Sequence, residues 1–416
     1  MLRKRLTQPS PKGWKSMANL FGEAEASADA GDDLGDDQAN DLGVGDYNDA
    51  IDAYDDSKLK PPRHSDYCLG HEAIEARLAD LIAKDKLPHA MIFSGLQGIG
   101  KATVAYRLAR TLLNAPSETE EAAGLFGDEA AQDQDAGDLS IPTDARVFKQ
   151  VASGGHPDLL SIERRFDDKK NKVKDNVDVT EARRVTPFMR MTASRAGGWR
   201  VVIIDDADTM NRNAQNAVLK ILEEPPKNAV LVLVCHRLGA MIPTIRSRCR
   251  VIPFQPLPFE TYRVILRQEH PDLISDDIDL LFAMTGGSVG RALEIIDEEG
   301  IAAISTITNL FESFPKWDWP QIHGLSDSMG RGNQNQAYQM FARVMCWITD
   351  TLLRHKAYNA PLPIQLKTES IQSMISHYSL NDWIEIARTM SEHFETFDRA
   401  NLDKRQAVLG SFSIFK

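Results

Sequence analysis

Apolar and polar positions change their period along this chain, and the changes mark out its elements. Residues 1–20 are basic and 21–57 strongly acidic, with Asp32, Asp33, Asp36 and Asp37 close together. A segment of that composition buries too little apolar surface to fold, so residues 1–60 are expected to form a solvated tail that ends at Pro61 and Pro62. Between 70 and 84, Ile74, Leu78, Leu81 and Ile82 recur at helical spacing, and residues 89–94 read as a strand. Val104, Ala105, Leu108, Ala109 and Leu112 then give a second helix its apolar face. Residues 117–145 turn acidic and low in complexity, which predicts an inserted surface loop.

Continuous apolar runs follow. A strand is predicted over 158–162 and a helix over 179–191. Val201, Val202, Ile203 and Ile204 form a run that ends in Asp205 and Asp206, the pattern of a buried parallel strand with acid at its carboxyl end. A helix over 214–224 stops at Pro225 and Pro226, and two further apolar runs cover 230–234 and 249–254. Buried strands alternating with helices imply a parallel α/β sheet that binds its ligand at the carboxyl ends of the strands. Beyond Pro258 only helical periods remain, over 259–270, 276–284 and 289–298, then longer helices carrying Met340, Val344, Trp347, Leu352, Ile371, Met374, Trp383 and Ile386. The expected organisation is an α/β domain over 61–256, a small helical domain over 257–300 and an all-α domain over 301–416.

The 416 residues suffice for two or three domains, and the net charge of −12 argues against a protein that coats nucleic acid by itself. Cys68, Cys235, Cys249 and Cys346 are scattered without metal-ligand or disulfide spacing, which fits a reducing cytoplasm and predicts no zinc. No apolar run of 18 residues and no signal-peptide core are found, so no membrane partner is expected.

Candidate chemistry begins at residues 91–103, Met-Ile-Phe-Ser-Gly-Leu-Gln-Gly-Ile-Gly-Lys-Ala-Thr, where a strand empties into a glycine-rich turn and a helix. Gly95, Gly98 and Gly100 let backbone approach phosphate oxygens, and Lys101 places a charge at the helix N-terminus. The next position should carry a hydroxyl for Mg²⁺. It is Ala102, with Thr103 one residue late. Asp205 and Asp206 would supply the metal half of a nucleoside triphosphatase site.

These motifs, together with Leu-Glu-Glu-Pro-Pro over 222–226, Ser247-Arg248-Cys249 and Gly-Gly-Ser-Val-Gly-Arg over 286–291, resemble the clamp-loader branch of the AAA+ family. The resemblance covers about residues 61–300, and the helical remainder is matched by its helical character and by residues 401–406. It implies a hetero-oligomer in the bacterial cytoplasm that loads a sliding clamp on primed DNA, with the last domains forming a collar. It also implies that Arg248 reaches, as an arginine finger, into the ATP site of a neighbouring motor subunit.

Against the active members of that branch, this chain departs on its own nucleotide site. Ala102 removes the metal-binding hydroxyl, and Asp206 stands where a glutamate polarises the attacking water. Cys235 and His236 replace the Thr or Asn that senses the terminal phosphate, and Gly290 occupies the place of the lid arginine, with Arg291 one position beyond. The four-cysteine zinc module common in the family is missing. The resemblance therefore implies a subunit that assists its neighbour's hydrolysis, requires no cofactor, and keeps at most passive ATP or ADP binding through Lys101 and the loop amides. The alternatives are a working ATPase, against which Ala102 and Asp206 weigh, and a nucleic-acid-binding regulator, for which no helix-turn-helix or aromatic basic strip is found.

Overall fold

The computed structural model describes residues 60–114, 139–167, 172–174, 176–298, 300–330 and 335–415. The expected tail over 1–60 and most of the expected loop over 117–145 lie outside these residues, apart from Lys60 and 139–145. Among the described residues the chain forms two compact units, one of 60–274 with 285–292 and another of 275–284 with 293–415.

The first unit is built on a five-stranded sheet. Its strands are β1 (Ala90–Ser94), β2 (Leu159–Ile162), β5 (Arg200–Ile204), β6 (Ala229–Cys235) and β7 (Arg250–Pro253). A separate two-stranded antiparallel ribbon pairs β3 (Phe166–Asp167) with β4 (Lys172–Val173). The sheet order is β2, β5, β6, β1, β7, and every neighbouring pair is parallel. Both faces are covered, which is why β5 and β6 read as unbroken apolar runs instead of alternating ones. Ile92, Val202, Ile204, Leu231 and Leu233 pack on one side, and Met91, Phe93, Val201, Ile203, Val232 and Val234 on the other.

The structure differs from the sequence expectation at three places. The run at 249–254 is an edge strand with Arg250 exposed, because it pairs only with β1. The helix expected over 214–224 is broken at Val218 into Arg212–Ala217 and Leu219–Glu223. Leu139 and Ile141, at the end of the acidic segment, are buried.

The second unit is all helical, as expected. Its longest helices, Asn335–Tyr358 and Leu380–Arg399, pack on each other with Tyr338 and Phe341 against Phe394, and Ser379 and Asp382 close a reciprocal capping box at the start of the latter. No helix of the described residues is long and apolar enough to cross a membrane.

Candidate nucleotide and arginine-finger sites

The strand order brings distant motifs together. β6 lies between β1 and β5, so the loop after β1, the acids after β5 and the residues after β6 emerge side by side at one sheet edge. Ser94 is level with Cys235, and Ile204 with Leu233.

The glycine-rich loop runs from Gly95 into the helix Lys101–Asn114, with Ala102 and Thr103 in its first turn. Lys101 is buried, and its Nζ donates to the loop's own carbonyls, to Gly95 O at 2.9 Å and to Leu96 O. Burial pushes this amine down to about 8, against the pull of Asp205 and its neighbours. The loop is also closed from outside. Gly290 N donates to Gly98 O at 2.9 Å, and the fully buried Ser288 donates from Oγ to Gln97 O at 2.6 Å. This approach requires two glycines, because a Cβ on Gly290 would stand 2.8 Å from Gly98 Cα and one on Gly98 would stand 2.9 Å from Gly290 Cα. Gly98 has φ +71, and a Cβ on Gly100 would stand 2.9 Å from Cys68 Sγ and 3.4 Å from His71 Cδ2. His71 in turn meets Ile99 O at 2.6 Å through Nε2. The Arg291 side chain is exposed.

At the end of β5, Asp206 has φ +48, and its amide donates to Asp205 Oδ1 at 2.9 Å. Both of its carboxylate oxygens are engaged. Arg164 Nε lies 2.5 Å from Oδ2, and His236 Nε2 lies 2.5 Å from Oδ1. Burial pushes the Asp206 carboxyl up, but the His236 hydrogen bond and the Arg164 charge outweigh it and hold the group below the usual carboxylate range. Asp205 behaves oppositely, since burial and then the charge of Asp206 raise it to about 6. Asp208 accepts the His236 amide at 2.8 Å and faces Arg237 at 3.3 Å. Asp205, Asp206 and His236 each offer a ligand atom within 4.8 Å of the others. The Arg164 guanidinium already supplies positive charge to that trio, and a cation taking both carboxylates would have to displace it.

Arg248 lies elsewhere in the same unit, just past the short helix Pro243–Arg246 and before β7. Its Nη2 is 2.9 Å from Glu223 Oε1, and its Nη1 donates to Thr244 O at 3.1 Å. Thus Gly95, Gly98, Gly100, Lys101, Asp205 and Asp206 share one locus, while Arg248 occupies its own. Nothing in the sequence singles out Arg164, and Ser288 and Glu223 are marked there only as parts of the motifs over 286–291 and 222–226, without their partners. Arg164 sits two positions beyond β2, the strand paired with β5, and that pairing is the signal that could have found it.

Residues 70–258 match the family model described as DNA polymerase III, delta subunit. The chain is 33% identical to the DNA polymerase III subunit delta' of Pseudomonas aeruginosa over 48% of this chain and 53% of that protein. It is 27% identical to the Escherichia coli subunit delta' over 64% of this chain and 70% of that one. It is 29% identical to the subunit gamma/tau of Mycobacterium tuberculosis over 55% and 36%. The chain therefore spans about half the length of the Pseudomonas relative. With the sheet order and the converging loop and acid motifs, these matches make residues 70–258 similar to the DNA polymerase III delta subunit family and to the delta' subunits of those organisms.

Proposed function

We propose that this chain is a delta-prime-type subunit of a bacterial clamp loader, a stator that hydrolyses no ATP itself and lends Arg248 to the site of a neighbouring motor subunit. Its partners would be the motor and delta-like subunits, and through them the sliding clamp and primed DNA in the bacterial cytoplasm. The observation carrying the first half is the closed glycine loop, in which Lys101 and Gly290 bind the carbonyls that frame a phosphate cradle. A magnesium nucleotide does not fit these residues as they stand. Ala102 offers the metal no oxygen, and Arg164 holds the carboxylate that would orient water. The second half is supported by the half-exposed guanidinium of Arg248, carried on a turn anchored by the fully buried Ile245.

Two measurements test the reading. The isolated chain should hydrolyse ATP at background rate, and turnover abolished by Lys101→Ala would instead identify a motor subunit. In the reconstituted loader, Arg248→Ala should leave assembly intact and lower hydrolysis at the site it serves by about tenfold or more, diluted in total turnover by the other sites. Arg248→Lys should restore little, since lysine lacks the planar fork of donors. A loader that assembles with Arg248→Ala and turns over at the unmutated rate would end the finger assignment.

A further inference from the structure

Arg248 and Glu223 are mounted on two separately anchored supports that face each other. Glu223 closes the helix Leu219–Glu223, whose Ile221 and Leu222 are buried. Arg248 follows a turn in which its own amide donates to the carbonyl of the buried Ile245 at 3.0 Å. The adjacent Glu224 is turned elsewhere, toward Arg190 at 3.4 Å, so the two glutamates of this motif have different partners. The Arg248 and Glu223 side chains keep 37% and 53% of their exposure, so water screens the pair and it exchanges readily.

We infer that Glu223 is the positioning residue for Arg248, holding the guanidinium on the chain's own surface and yielding it to the terminal phosphate of a nucleotide bound to the neighbouring subunit. This rests on the trans-acting reading of Arg248. A terminal phosphate brings more negative charge than one carboxylate and matches the guanidinium fork in a bidentate manner, so it displaces Glu223 from Nη2. Once that phosphate has left, the carboxylate recovers the arginine. Glu223 thereby competes with nucleotide and sets the ATP concentration at which the finger engages, while leaving the chemistry after engagement unchanged.

The test uses the loader reconstituted with the full chain and a titration of ATP hydrolysis. Glu223→Gln removes the charge at nearly constant shape and should lower the KM for ATP roughly two- to fivefold, the range open to one solvent-exposed ion pair, with kcat unchanged. Glu223→Asp, which keeps the charge on a shorter arm, should fall between the two. In an Arg248→Ala background Glu223→Gln should change nothing. An unchanged KM, or an equal shift in both backgrounds, would overturn the positioning role while leaving the finger standing if Arg248→Ala alone lowers turnover. If Arg248→Ala alone has no effect, the trans-acting reading falls and this inference falls with it.

Discussion

Two adjacent carboxylates at the end of β5 are pushed in opposite directions, and their contributions to stability have opposite signs. Asp205 has its pKa raised from 3.8 to about 6. Between those values the folded chain holds a proton that the unfolded chain releases, so its contribution declines as pH rises and is lost above about 6. Asp205→Asn should therefore stabilise the protein at pH 7 by about 1–3 kcal/mol, with the gain vanishing below about pH 4. Asp206 is held below its usual value, so its contribution is present above about pH 4 and lost on acidification. Asp206→Asn should destabilise at pH 7 by about 1 kcal/mol and converge with the unmutated protein in acid. Urea melts across pH 3–8 check both; slopes of the same sign for the two variants would contradict this account of the site.

At the scale of elements, what sits on the sheet decides what a truncation costs. Ile245, fully buried in the short helix that carries Arg248, should lose about 2–5 kcal/mol on replacement by alanine. Val251, which the apolar run suggested as core, is only half-buried on the edge strand, and Val251→Ala should cost nearer 1 kcal/mol by the same denaturation measurement. Glycines can be ranked the same way. Gly290→Ala must force the segment 288–291 off Gly98 and should cost about 1–3 kcal/mol, whereas Gly239→Ala, whose Cβ meets nothing within 4 Å, should be neutral.

The same elements show what the sequence could and could not reveal. Strands β5 and β6 were legible because burial on both faces writes itself as an apolar run, and the glycine loop because its spacing is local. The contacts of Arg164 and His236 with Asp206 span 42 and 30 residues and depend on which strands are neighbours, which no periodicity encodes. The edge position of β7 was hidden for the same reason, and the break at Val218 because both halves of that helix share one apolar pattern.

For the molecule as a whole, a closed loop means that stability should owe nothing to nucleotide. A ligand that binds only the folded state adds RT ln(1 + [L]/Kd), about 2.7 kcal/mol when its concentration is a hundred times Kd. To be bound here, a triphosphate must break the Lys101 bonds to Gly95 and Leu96 and the Gly290 bond to Gly98, and so must repay their loss before any gain appears. We therefore expect millimolar Mg-ATP or Mg-ADP to leave the Tm of the isolated chain unchanged. Gly290→Ala, by lifting the segment 288–291 from Gly98, should make the loop more accessible and introduce a nucleotide-dependent rise in Tm from its lowered baseline. A rise of several degrees in the unmutated chain would show that the loop opens at little cost. It would mean that the proposed lack of ATP turnover rests on Ala102 and the Arg164 contact to Asp206, and not on closure.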